Sequence, residues 1–235
     1  MKIAIAHPAS TVILVRENSG LEVYMTKRNV NLGFLGGFYV FPGGRRDEAD
    51  FSEEALNRMW ARDLETKTRA IESDEKIEEK LGYYASAIRE VFEEIGILMV
   101  CDKQGKRVEL NSELKNELTR MRTMLHKREI GFMDVLKEFD FYYDSDSLIW
   151  FAHWITPKTS PKRFDTQFFI GKIPQGQEPK SFSEEIDFEL WIKPKEALEK
   201  WRKAEMHMIP PTIASLDRLT RFSGVKELSQ ALALS

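Results

Sequence analysis

The chain has 235 residues, 42% hydrophobic and 31% charged, with a formal net charge of -3. That length and balance suit one well-buried globular domain and exclude a fibrous, low-complexity or wholly disordered chain, and the slight acidity gives no general electrostatic hold on long nucleic acid. A single cysteine, Cys101, excludes an intrachain disulfide and any multi-cysteine metal site, and fits a reducing compartment.

Residues 1–6 are too short an apolar run for a secretory segment, no stretch approaches a membrane span, and the last three residues are not a peroxisomal address, so the expected location is cytoplasmic. Residues 11–15 and 21–25 are β-branched or apolar runs joined by Glu17-Asn18-Ser19-Gly20, which predicts an antiparallel hairpin. Gly33, Gly36 and Gly37 follow. Tyr39-Val40-Phe41 then runs into Pro42-Gly43-Gly44, a short strand entering a turn where backbone can approach a ligand closely. Residues 52–63, with Ser52 ahead of two glutamates and Ala55, Leu56, Met59 and Trp60 after them, predict a capped amphipathic helix. Residues 63–79 are charge-rich and weakly periodic, an exposed connection or a solvated helix.

Residues 82–95 place Ala85, Ile88, Val91, Phe92 and Ile95 at helical spacing, with Gly96 as the stop. Residues 97–100 read as a strand, and 112–127 and 131–139 as helices. The aromatic and β-branched runs 148–156 and 164–173 predict a second antiparallel pair, and 185–192 a last strand. Residues 194–204 and 211–222 read as helices, each opened by proline in its first turn. The sum is an α/β (α+β) chain of one domain, residues 1–235, with a mixed sheet between helices and no internal repeat.

The chemistry concentrates in Arg89-Glu90-Val91-Phe92-Glu93-Glu94-Ile95-Gly96-Ile97. Glu90, Glu93 and Glu94 stand at i, i+3 and i+4 and so share one helical face. Three crowded anions cost stability unless they are solvated or neutralised, and a hard divalent cation that prefers oxygen would relieve them. Arg89 lies one turn from Glu93 and can hold it. A bare Glu-x-x-Glu-Glu face is usually just solvated. Here every position fits Arg-Glu-U-x-Glu-Glu-x-Gly-U, where U is a bulky aliphatic residue.

In that run the chain resembles the Nudix hydrolase superfamily. The first half of that signature begins with a glycine, supplied by Phe41-Pro42-Gly43-Gly44, but about forty residues then separate it from Arg89. The expected glutamate is not identifiable: six positions after Gly44 stands Asp50, and eight before Arg89 stands Leu81. The pattern is similar to the long-insert branch that includes the peroxisomal coenzyme A diphosphatase, in which a Gln-Glu-Pro stretch precedes an acidic strand and Trp-x-x-Pro. Gln177-Glu178-Pro179, Glu185 and Trp191-Ile192-Lys193-Pro194 follow in that order.

The resemblance implies a Nudix fold with a helical insert at about residues 45–84, packed beside the active-site mouth. It implies Mg²⁺ or Mn²⁺ held by Glu90, Glu93 and Glu94, with Glu185 as the further metal ligand or base and Glu184 and Asp187 as its alternatives. Arg28, Arg45 and Arg46 are candidates to grip phosphates, since guanidinium matches phosphate geometry. Gly43 and Gly44 would admit the substrate closely. Phe34, Phe38 and Tyr39 are candidates to stack an adenine, with core packing as the rival role.

The expected reaction is metal-dependent hydrolysis of a diphosphate linkage in a small nucleotide-like molecule, with coenzyme A or acyl-CoA leading. ADP-ribose, a nucleotide sugar or a dinucleotide are the same-class alternatives, and a catalytically silent nucleotide sensor or scaffold is the alternative of another class. Neither membrane nor long nucleic acid is expected as a partner, and a third, rival reading makes the insert of residues 45–84 the arm of a homodimer on an otherwise ordinary hydrolase.

Overall fold

A computed structural model describes residues 4–181 and 185–233. In chain order its elements are β1 (Ala6–Glu17), β2 (Leu21–Arg28), β3 (Tyr39–Val40), β4 (Gly43–Arg45), α1 (Glu53–Asn57), β5 (Met59–Trp60), α2 (Leu64–Ala70) and α3 (Ile77–Ile95). There follow β6 (Val100–Cys101), α4 (Ser112–His126), α5 (Phe132–Glu138), β7 (Tyr142–Asp144), β8 (Leu148–Ile155), β9 (Arg163–Lys172) and β10 (Ile186–Ile192). Three helices close the chain: α6 (Pro194–Arg202), α7 (Pro210–Leu219) and α8 (Val225–Ala233).

The expected hairpin forms, with Val15 opposite Val23 and Glu17 opposite Leu21. Strand β1 reaches back to Ala6 because it has partners on both edges: β4 antiparallel on one side and β9 parallel on the other, from Ala6 beside Arg163 to Val15 beside Lys172. Strand order is β10-β2-β1-β9-β8, so one parallel pair lies inside an otherwise antiparallel sheet. The alternation of a strand sends successive side chains to opposite faces. Val12, Leu14, Tyr24 and Phe169 pack under α3, while Ile13, Val15, Val23, Met25, Phe168 and Ile170 pack with Leu198, Leu216 and Leu228 of the last three helices. The result is the expected mixed sheet between helical layers. Among the described residues, no helix is long and apolar enough to cross a membrane.

Several expectations shift for tertiary reasons. The helix capped by Ser52 ends at Asn57, because Met59 and Trp60 pair in parallel with Tyr143 and Asp144 in a second, small sheet. Helix α3 begins at Ile77, ahead of the expected start, and Gly96 ends it in the left-handed conformation at φ 72°. The strand expected at residues 97–100 shrinks to Val100–Cys101, since Leu98 is paired by a side chain: its N–H donates to Gln177 Oε1 at 2.8 Å and its carbonyl accepts from Gln177 Nε2 at 3.0 Å. Helix α8, which the sequence reading does not anticipate, begins where the N–H of Val225 donates to Glu17 Oε2 at 2.7 Å.

Candidate active site

Helix α3 is fixed in rotation by Val91, Phe92 and Ile95, each at most 2% exposed. That burial turns Arg89, Glu90, Glu93 and Glu94 toward the glycine turn between β3 and β4. Strand β4 squeezes between β1 and the helix there, and at Gly43, with φ 154° and the β1 backbone against it, only glycine fits. A Cβ on Gly43 would lie 2.2 Å from the carbonyl oxygen of Ser10, and one on Gly44 would lie 2.4 Å from the carboxyl carbon of Glu90. The close approach lets the Gly43 N–H donate to Glu94 Oε2 at 3.0 Å.

Arg89 organises the rest. Its Nε and Nη2 donate to the two oxygens of Asp50 at 2.8 and 2.9 Å, and its Nη1 donates to Glu90 at 2.7 Å and Glu93 at 3.2 Å. Nη2 also reaches the carbonyl of Arg45 at 2.8 Å. Asp50, 2% exposed, therefore supplies the carboxylate that the sequence reading finds missing. The signal was its spacing of six from Gly44, obscured because aspartate stands where glutamate is expected.

Electrostatics follow from this crowding. Burial, then the charge of Glu90, pushes the Glu94 carboxyl up to about 8 against the pull of the Gly43 amide and Arg28. Burial likewise raises Glu90, to about 7, and Glu93, with Arg89 opposing in both. For Arg89 burial works against the charge, but the hydrogen bond to Asp50 and the fields of Glu90, Asp50 and Glu93 outweigh it and hold the guanidinium protonated. Among the described residues no three acidic, imidazole or thiol groups are gathered as a finished metal cage. The donor set nonetheless fits a hard cation in kind: buried, mutually repelling carboxylate oxygens on one helical face, which a divalent ion would neutralise.

The opposite wall is formed by the end of β2, residues 29–38 and the start of β10. Arg28 Nη2 lies 3.7 Å from Glu185 Oε2, and Arg28 Nε donates to the Phe34 carbonyl at 3.3 Å. The charges of Arg28 and Glu185 act on Glu94 in opposite directions, Arg28 lowering and Glu185 raising its carboxyl. The Glu185 side chain is 61% exposed and its backbone carbonyl accepts from the Asn29 N–H. Asp187 instead accepts from the Val30 N–H at 3.2 Å. Glu184 lies outside the described residues.

Behind the signature, Arg122 Nε on α4 donates to the carbonyl of Glu93 at 2.9 Å and its Nη1 to that of Lys180, also at 2.9 Å. This contact pins the end of α3 to the segment leading into β10, and no sequence motif marks Arg122.

The remaining candidates separate. Arg45 is exposed, with Nη2 3.1 Å from His7 Nδ1. Arg46 is corrected as a phosphate-gripping residue: its side chain is 5% exposed, bound to Glu75 and the Glu79 carbonyl and covered by Tyr83 and Phe51. Phe34 meets Phe164, whereas Phe38 packs near His207 and Tyr39 against the second core. Cys101 is buried, and burial pushes its thiol up to about 12, which disqualifies it as a nucleophile.

A mixed sheet with a signature helix across it, entered by a glycine turn and left by a left-handed glycine, defines the Nudix class of fold. The chain superposes on the crystal structure of a NUDIX hydrolase from Alicyclobacillus acidocaldarius with a TM-score of 0.76, over 96% of each chain at 28% identity. More narrowly, the family described as NUDT19 Nudix domain matches residues 3–219, and the chain belongs to that family. It is 27% identical to the acyl-coenzyme A diphosphatase NUDT19 of Xenopus laevis, covering 89% of this chain and 62% of the relative. The protein of that name from Homo sapiens is 24% identical, with 89% of this chain and 63% of the relative covered. The putative nudix hydrolase 7 of Caenorhabditis elegans is 25% identical over 91% of this chain and 60% of the relative. The chain thus spans about three fifths of the length of these relatives.

Proposed function

We propose that this chain hydrolyses the diphosphate linkage of coenzyme A or an acyl-coenzyme A, giving adenosine 3′,5′-bisphosphate and a 4′-phosphopantetheine. The observation that carries the reading is the excess of carboxylate around one buried arginine: Asp50, Glu90 and Glu93 all reach Arg89, and Glu94 lies beside Glu90. Similarity to proteins named acyl-coenzyme A diphosphatase supports the substrate class.

Glu90, Glu93 and Glu94 would hold Mg²⁺ or Mn²⁺, with Glu185 facing them. Bound there, the cation would neutralise non-bridging phosphate oxygens and ease ionisation of a water. Arg28 turns the diphosphate toward the helix through its guanidinium, and Gly43 and Gly44 leave room for its oxygens. As the water oxygen bonds to one phosphorus, the bond from that phosphorus to the bridging oxygen breaks, and the bridging oxygen leaves on the other phosphate. The water's proton passes to Glu185, whose side chain is 61% exposed. Arg89 and Asp50 act as positioning residues that fix Glu90 and Glu93. The same reading takes the insert as part of one domain, with Met59 and Trp60 paired to β7, and a reducing, cytoplasmic setting, in keeping with buried Cys101.

The test is cleavage of coenzyme A, ADP-ribose and a nucleotide sugar with Mg²⁺ or Mn²⁺, wild type beside Glu93→Gln. Coenzyme A is the expected substrate, and the variant should lose on the order of 10²- to 10³-fold in kcat/KM, as removal of one preorganised electrostatic group does. Cleavage of another panel member alone discards coenzyme A and keeps the chemistry. Undiminished turnover by Glu93→Gln overturns the mechanism, and no cleavage at all leaves a nucleotide-binding domain.

A further inference from the structure

One edge of the cleft carries rings and cations that diphosphate hydrolysis does not itself require. Phe34 and Phe164, the latter at the start of β9, have ring centroids 5.6 Å apart and planes tilted by 51°. His7 pairs with Phe164 across β1 and β9 and holds its ring 6.5 Å from the same phenyl group. Lys162 Nζ stands 5.7 Å from the Phe34 ring centroid, and Arg45 Nη2 lies against His7 at 3.1 Å. The two phenyl rings are half-buried, while His7, Arg45 and Lys162 are exposed.

Rings tilted in this way form an open corner, in which a planar ligand lies on one ring and meets the edge of the other. The cations stand at the rim of that corner. The carboxylate next along the strand, Asp165, is committed to His153 at 2.5 Å, and strand alternation turns it to the other face. The backbone behind the corner reaches the carboxylate cluster, since the Arg45 carbonyl accepts from Arg89 and Gly44, one residue earlier, lies against Glu90, while His7 and Phe164 stand on the sheet face of Ile13 and Phe168.

We infer that this corner is a specificity subsite for a nucleotide bearing a phosphate on its ribose, with the base on Phe34 and Phe164 and that phosphate between Lys162 and Arg45. Rings alone would accept any base, because every base has a stacking face. Two cations beside them select the ligand with the additional phosphate, which accepts charge-assisted hydrogen bonds from both. The assignment rests on the coenzyme A reading, since the 3′-phosphoadenosine end is what sets that substrate apart from ADP-ribose and nucleotide sugars.

Binding separates the two claims. Isothermal titration of the full chain with adenosine 3′,5′-bisphosphate and with AMP, both in Mg²⁺ buffer, is expected to give at least a tenfold preference for the bisphosphate. Lys162→Gln should collapse that preference to within twofold, Phe164→Ala should weaken both ligands at least fivefold, and Lys158→Gln, on the same loop, should leave the preference intact. Equal affinities in the wild type, no measurable binding of either ligand, or an equal collapse from Lys158→Gln overturns the subsite. Failure to cleave coenzyme A alongside an intact bisphosphate preference discards the hydrolysis reading and keeps the corner.

Discussion

Two arginines are buried where the insert meets α3, and they are balanced differently. Arg46 faces one carboxylate, Glu75, in hydrogen bonds of 2.7 and 3.1 Å, and its remaining surroundings are the Glu79 carbonyl and the rings of Tyr83 and Phe51. Arg89 draws in Asp50, Glu90 and Glu93, with Asp47 a further 3.9 Å away. The first pair is neutral and closes a seam between the insert and the helix. The second leaves an excess of carboxylate, and burial first, then the neighbouring carboxylates, raises Glu90 and Glu94, which suits a site that takes up a cation. Unequal charge around two largely covered guanidinium groups, 5% and 12% exposed, separates structural ionic contact from chemical site.

The largest effect expected from this contrast is at Asp50. Asp50→Ala removes the bidentate partner of Arg89 and should lower stability by about 3 kcal/mol, the low end for breaking a buried ion pair because two glutamates remain. Turnover should fall with it, as Glu90 and Glu93 become the remaining carboxylate partners of Arg89. Urea unfolding with a parallel coenzyme A assay checks both. A stability loss under about 1 kcal/mol would mean that the two glutamates suffice and that Asp50 is incidental.

The two arginines also mark how far the sequence could be read. Arg89, Glu90, Glu93, Glu94 and the Gly96 stop were legible because helical periodicity fixes which side chains share a face, and the β1–β2 hairpin because turn chemistry is local. Asp50 reaches Arg89 only because the insert folds back, and Arg46 looks in sequence like its exposed neighbour Arg45. What distinguishes them is cover by Phe51 and Tyr83, residues 5 and 37 positions away, a tertiary fact that no local pattern encodes. Helix α8 escaped for a like reason: its N-terminal N–H is met by Glu17, from the first hairpin.

A smaller effect sharpens the contrast by testing a junction made without charge. Gln177 satisfies both backbone groups of Leu98 from a buried position, 79 residues away. Gln177→Ala leaves that N–H and carbonyl unpaired and should cost about 1–3 kcal/mol. Thermal unfolding measures it, and hydrogen exchange at Leu98 should quicken. An unchanged exchange rate would show that another group or water replaces the amide. Smaller again is exchange of the whole balanced pair: Arg46→Met with Glu75→Leu should stay near wild-type stability, since apolar packing commonly replaces a buried ion pair without loss. Coenzyme A turnover should survive it, and a collapse of turnover would break the distinction between the two arginines.

The smallest effect is a pH dependence confined to the balanced pair. Burial pushes the Glu75 carboxyl up, but the hydrogen bond and charge of Arg46 outweigh it and hold the group below the ordinary glutamate value of 4.5. A carboxyl depressed by folding binds its proton more readily in the unfolded chain, so the unfolded state gains protons first as pH falls. The stabilisation is therefore complete above about pH 4.5 and is lost as pH drops through the lower folded value. Melting temperatures of wild type and Glu75→Gln should differ by a constant amount from neutral pH down to about 5, then converge below 4. A gap that widened on acidification would mean that burial, not Arg46, governs Glu75, and the seam between insert and helix would then depend on its aromatic cover more than on its charge.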